Sequence, residues 1–242
     1  MTTSTQGAVR ECVESVTATF GSVFEQIETW RSALEAAVAA SGGIVTAAAI
    51  DELTEALVVP GLSRDGALMI GAGFVAAPGF LDDTEWHLAW WLGHANKFGV
   101  GSADPALRRL EAEEDPTSES FRDYTTLEWW RVPASTGARH ITGPYVDYLC
   151  TDDYTLTLTM PVVHAGAMIG VVGADLYVND VERTLLPPVR AIGGTATLIN
   201  ASRRVVVSTD PHRPTGSILR PDAAGETIAV GDTSLLLVLG QA

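Results

Sequence analysis

Apolar residues recur over the first forty positions at alternating steps of four and three: Val9, Val13, Val16, Phe20, Val23, Ile27, Trp30, Leu34 and Ala37. This is a heptad seam on a mostly polar background, and it predicts one helix over about residues 7–40. At the standard rise that helix is roughly 50 Å long. Phe24 and Val38 widen the stripe, so the helix can pack on its own domain as well as on a partner. A helix of this length predicts homodimerisation in preference to purely intramolecular packing. Ser41-Gly42-Gly43 supplies the stop, since glycine accepts the left-handed cap conformation. The chain divides accordingly into residues 1–43, a dimerising helix, and residues 44–242.

Beyond that boundary the period shortens. Thr46 is placed to cap a second helix with Ile50, Leu53 and Leu57 inside and Pro60-Gly61 as its stop. The run from Ala67 to Ala77 reads as a buried strand, Glu85 to Leu92 as a strand or short helix, and Glu111–Glu119 as a solvated loop. Three strands are expected over His140–Asp147, Tyr154–Val163 and Ala167–Val178. In the middle one threonine alternates with apolar residues, which predicts a strand with one wet face. His164-Ala-Gly-Ala joins it to the next by a hairpin. Asn179 with Glu182 resembles a capping box for a short helix ended by Pro187-Pro188. Hairpin-like strands around Thr195–Ser208 and Glu226–Leu239 close the chain. A long helix, then antiparallel strands and short helices, define an α+β fold.

Composition narrows the partners. A formal charge of −15, with Lys97 and fourteen arginines as the only fixed cations, argues against nucleic acid. The segment MTTSTQGAVRECVES has no basic stretch followed by an apolar one, and no apolar run is long enough to span a bilayer, so a soluble cytoplasmic chain is expected. Cys12 and Cys150 form no disulfide framework and read as buried free thiols. Gly71-Ala-Gly73-Phe-Val-Ala76 has the spacing of a dinucleotide loop, but Pro78-Gly79 breaks the chain where the required helix should open. The five histidines show no metal-ligand spacing, and no nucleophile elbow is present. No cofactor is implied, and nothing argues for an enzyme.

Two carboxylates stand out. Asp175 lies in the apolar run Ile169-Gly-Val-Val-Gly-Ala-Asp175, where burial demands a cationic or hydrogen-bonding companion. Asp147 follows Trp129-Trp130 and Tyr145 within twenty residues. Acids among aromatic rings suit an ammonium group, held by charge and by cation–π attraction.

With Ile141-Thr-Gly-Pro-Tyr145-Val-Asp147 and the strand ending Met160-Pro161-Val162, these motifs resemble the Cache domains, PAS-like sensor modules of bacterial receptors. The resemblance covers about residues 121–190 and implies a long helix on a PAS-like antiparallel sheet. It also implies that Trp129 and Trp130 line a pocket, while Tyr145, Asp147 and Asp175 hold an amino group. Tyr124 or Phe121 is expected to add a wall. The arginine that clamps a ligand carboxylate in amino-acid-binding members is replaced by Leu127, and Arg122 and Arg131 lie out of register. The expectation is therefore a sensor of a small amine or amino-acid-like metabolite, signalling through a dimer or a separate transcription regulator. Cache domains usually sit outside the membrane, so an excised extracytoplasmic domain is the alternative setting. The alternative functions are an enzyme with a buried Asp as general base, or an interaction module without a ligand.

Overall fold

The computed structural model describes residues 3–97, 107–147, 151, 153–221 and 225–240; the reading of Cys150 lies outside them. The amphipathic N-terminal segment is a single helix, α1 (Thr3–Ala40), and Gly42 and Gly43 follow it at φ 71° and 96°. The next helix, α2 (Ala47–Leu62), is capped by Thr46, whose hydroxyl oxygen accepts the amide of Ala49. Pro60-Gly61, the expected stop, lies inside it. Burial of Val58 and Leu62 on either side carries the helix past the proline.

The chain then forms β1 (Met69–Ala76), β2 (Leu88–Leu92) and the short β3 (Arg108–Arg109). A 3-10 turn (Tyr124–Thr126) and helix α3 (Glu128–Thr136) lead into β4 (His140–Val146), β5 (Tyr154–His164) and β6 (Ala167–Tyr177). These strands make one antiparallel sheet in the order β3-β2-β1-β6-β5-β4. Helix α4 (Val178–Ala191) grows directly out of β6. Its N-cap is Tyr177, with no side-chain cap bond, so Asn179 sits in the first turn and forms no capping box. Pro187 and Pro188 lie within α4, whose buried face of Val178, Val181, Leu185 and Val189 outweighs the lost backbone bonds. The last four strands, β7 (Ala196–Ile199), β8 (Val205–Ser208), β9 (Glu226–Ala229) and β10 (Leu236–Leu239), form a separate sheet in the order β8-β7-β10-β9.

Alternation assigns the two faces of the larger sheet. Ala72 and Phe74, Ala89 and Trp91, Leu156 and Leu158, and Val172, Ala174 and Leu176 pack in one cluster with α1, α2 and α4. The heptad seam of α1 is the other half of this core: Val16, Phe20 and Ile27 are 0% exposed and Leu34 only 1%. The stripe read as a dimer surface is thus covered by the chain's own sheet. Each such side chain contributes about 1.5–3 kcal/mol by leaving water.

The opposite face carries Gly71, Gly73 and Val75, Trp90 and Leu92, Thr155, Thr157 and Thr159, and Val171, Gly173 and Asp175. The threonine face expected to be wet is buried: Thr155, Thr157 and Thr159 are 0%, 3% and 1% exposed. Helix α3 and the segment leading into it cover these hydroxyls, and period two alone cannot distinguish a polar face in solvent from one beneath a lid.

Candidate functional site

Helix α3 is fastened to the sheet at its first turn. Thr159 donates its hydroxyl to the Trp129 carbonyl (2.9 Å), and Glu128 Oε1 lies 2.9 Å from His140 Nε2 on β4. That His140 contact holds the Glu128 carboxyl below its usual pKa, against the opposing effect of burial. Gly137 closes the helix at φ 67°.

Between α3 and the sheet lies a small cavity of about 30 Å³. Its rim is aromatic, with Trp129 from α3, Trp90 from β2 and Tyr145 from β4, and its acids are Asp147 and Asp175. Asp175 is 1% exposed, whereas Asp147 is half-buried. Thr157 donates to Asp175 Oδ1 at 2.6 Å, a length typical of a hydroxyl on a carboxylate. The Tyr145 hydroxyl lies 2.8 Å from Thr157 Oγ1. Since threonine has one proton and gives it to Asp175, tyrosine is the donor in that pair. Tyr145, Thr157 and Asp175 form a chain of hydrogen bonds that ends on the Asp175 carboxylate.

The structure gathers Trp129, Tyr145, Asp147 and Asp175 around one cavity. Trp130 and Tyr124 are displaced from it. Successive residues on a helix point about 100° apart, and here Trp129 turns into the hollow while Trp130 turns away from it. Their rings meet edge to face at 6.5 Å, and Trp130 packs on Tyr124 at 5.2 Å behind the cavity wall. Tyr124 donates its hydroxyl to the Ala76 carbonyl (2.6 Å), and burial raises its phenol pKa above the ordinary range. Phe121 packs on Trp86, one ring further out.

Three cavity residues that carry polar groups, Trp90, Thr157 and Thr159, escaped the sequence reading, as did its aliphatic walls. Thr157 and Thr159 had a usable signal in their alternation, misassigned to solvent. Trp90 is set by its partner strand: a Cβ on Gly73 would lie 2.7 Å from Trp90 Cα, and one on Gly71 would lie 2.8 Å from Trp90 Nε1. The dinucleotide-like glycines make room for an indole, and no helix follows them. Leu127, at the position of the arginine clamp, is the N-cap of α3 and is 37% exposed. Arg122 donates to the carbonyls of Glu119 and Phe121 at the surface, and Arg131 is exposed. Among the described residues, no arginine or lysine lines the cavity.

Beside the start of β2, His87 (4% exposed) bridges Asp51 of α2 and Glu114, at 2.9 Å and 3.0 Å. Arg109 of β3 also contacts Asp51, at 3.0 Å. Burial would lower the His87 pKa, but hydrogen bonds and charge from Glu114 and Asp51 raise it overall. Burial would raise that of Glu114, but His87, the Leu88 amide and Arg109 hold it down. Cys12 lies in the core, where burial raises its thiol pKa to about 11. No group of residues suited to a metal ion occurs among the described residues.

The protein is thus an antiparallel sheet backed on one face by a long helix and carrying a small acidic and aromatic cavity on the other. Residues 102–183, about a third of the chain, match the family model described as the methyl-accepting chemotaxis protein-like, first PDC sensor domain. The chain as a whole has the PDC-type Cache sensor fold. One structure of this fold is the ligand-binding domain of the Pseudomonas fluorescens chemoreceptor CtaA in complex with L-isoleucine: 15% identity, TM-score 0.57, covering 96% of this chain and 89% of that one. Another is that of the Pseudomonas aeruginosa PAO1 amino acid chemoreceptor PctC in complex with GABA: 14% identity, TM-score 0.53, 95% of each chain. A third is the extracellular domain of the putative histidine kinase mmHK1S-Z3, at 15% identity and TM-score 0.58, covering 97% of this chain and 94% of that one. No curated protein matches the chain by sequence.

Proposed function

We propose that this chain is a sensor domain that binds a small cationic amine or amino-acid-like metabolite in the cavity beneath α3. The carrying observation is that two carboxylates, Asp147 and Asp175, share one hollow with Trp129, Trp90 and Tyr145. An ammonium group there meets charge from the acids and the negative faces of the rings. Amino-acid and GABA ligands in domains of the same fold support the amine half of this reading. The clamp position held by Leu127 separates this chain from a site built around an arginine–carboxylate pair.

Ligand on Asp175 tightens β6 and β5, and both strands pack on α1, which carries the change away from the cavity. A second route runs through β4, where the Gly143 carbonyl accepts from Asn200 at the end of β7. The receiving partner is a second copy or a separate regulator. A dimer would use the outer face of α1, since the inner stripe is buried. An extracytoplasmic setting is at least as well supported as a cytoplasmic one, because the histidine-kinase sensor of like fold is described as an extracellular domain. Among the described residues, no helix is long and apolar enough to cross a membrane.

Isothermal titration of the purified chain against a panel of primary amines and amino acids tests the reading. Binding by the wild type, weakened about 100-fold in Asp175→Asn, is expected for a ligand held by a buried charge. Identical titrations for the two proteins would sink it.

A further inference from the structure

The indole nitrogen of Trp90 is a buried donor for which the described residues supply no acceptor. Trp90 is 5% exposed, stands on β2 facing the cavity, and is one of its lining residues. Buried tryptophans normally find a partner for this N–H, because an unmade bond forfeits the hydration of the group. The sheet offers no partner. The Trp90 carbonyl accepts from Leu110, while the strand backbone on either side is occupied by the β1–β2 ladder. A purely structural position would be filled as well by phenylalanine.

The position of the nitrogen is informative. It lies over Gly71, at 2.8 Å from where a Cβ would stand, and Gly71 is the direct cross-strand neighbour of Asp175. Side chains on adjacent strands start about 4.5–5.5 Å apart. A donor and an acid therefore face one small hollow from neighbouring positions, with the donor on one side and the hydrogen-bond chain ending at Asp175 on the other.

We propose that Trp90 determines specificity, donating its indole N–H to an oxygen carried close to the ligand's cationic nitrogen. This deepens the proposed amine-sensing function and rests on it. The recognised class is amines bearing a nearby hydroxyl, carbonyl or carboxylate oxygen, with bare alkylamines discriminated against. The indole N–H then performs, from the opposite wall, part of the work for which Leu127 offers no donor.

Ethanolamine and n-propylamine make the test, because they share a charge and nearly a shape and differ in one oxygen. Titration of the wild-type chain is expected to favour ethanolamine by about tenfold, the worth of one well-made hydrogen bond. In Trp90→Phe that ratio is expected to fall to one or below, since the hydroxyl then loses water without gaining a donor. A ratio that Trp90→Phe leaves unchanged overturns the assignment of Trp90 while Asp175 keeps its role. Failure of both amines and of the wider amine panel to bind wild type overturns the sensing function itself, and the assignment with it. Should the variant not fold, the indole N–H resonances of the wild type carry the same test. Ethanolamine is expected to move one of them further downfield than propylamine does, and equal responses would overturn the proposal.

Discussion

The two faces of the six-stranded sheet are built on opposite rules. Toward α1 the strands present Leu156, Leu158, Val172, Leu176 and Phe74, all aliphatic or aromatic and all fully covered. Toward α3 the same strands present threonines, glycines, Trp90 and Asp175, and these are just as deeply buried. Burial is equal, but its source is not. The first face is closed by removal of apolar surface from water, which needs no particular geometry. The second is closed by directed bonds: Thr159 to the Trp129 carbonyl, Thr157 to Asp175, and His140 to Glu128. One face holds the fold, and the other trades stability for a hollow whose polar groups are preset.

That contrast can be broken from either side. The largest effect belongs to the helix face, where Phe20→Ala is expected to cost about 3–5 kcal/mol through lost burial and an unfilled cavity. Urea unfolding should show a lower midpoint, with amine affinity of the folded protein little changed. On the opposite face, Asp175→Asn should do the reverse, weakening ligand by about 100-fold while leaving the unfolding midpoint nearly in place. If the midpoint falls as far as in Phe20→Ala, then the two faces are equally structural and the contrast is wrong.

Thr159→Val tests the directed bonds themselves. It keeps the volume but orphans the Trp129 carbonyl, and about 1–3 kcal/mol should be lost. For a domain of this size that is a fall of roughly 2–12 °C in Tm, visible by circular dichroism. A shift within error would mean that α3 is held by its aromatic contacts alone.

The smallest effect is the pH dependence of the His87 bridge. The His87 pKa is raised in the folded chain, so its contribution is complete below its ordinary 6.5 and fades as pH rises through the folded value. Glu114 is lowered, so its contribution is present above its ordinary 4.5 and fades as pH falls through the folded value. The Tm difference between wild type and His87→Gln is therefore expected to peak between pH 4.5 and 6.5 and to shrink on the alkaline side. A difference that grows above pH 7 would show that the bridge does not carry the charge assigned to it.

Much of the fold was legible because it is written locally. The steps of four and three in α1, the threonine alternation of β5 and the glycine stop after Ala40 each depend on neighbours a few residues away. The errors share a cause. Pro60 and Pro187-Pro188 look like helix ends, yet buried residues beyond them draw the helices onward. The threonine face looks wet because the sequence does not say that α3 will lie over it. The same limit applied at the site, where Tyr145, Asp147 and Asp175 were readable as inward-facing chemistry while Trp90 was not. Nothing near Trp90 in sequence marks it; Gly71 and Gly73, which admit its ring, are almost twenty residues away.

What the chain's order of residues determined alone is which side chains can be hidden and at what period, because those follow from helix and strand geometry. It also determined that an acid sits in an apolar strand. Tertiary structure decided what each hidden face meets: the α1 seam meets its own sheet, Trp130 turns away where Trp129 turns in, and Trp90 comes to stand beside Asp175. The reason is that cross-strand neighbours and lids bring together residues distant in sequence, and only the assembled sheet fixes which of them share a cavity.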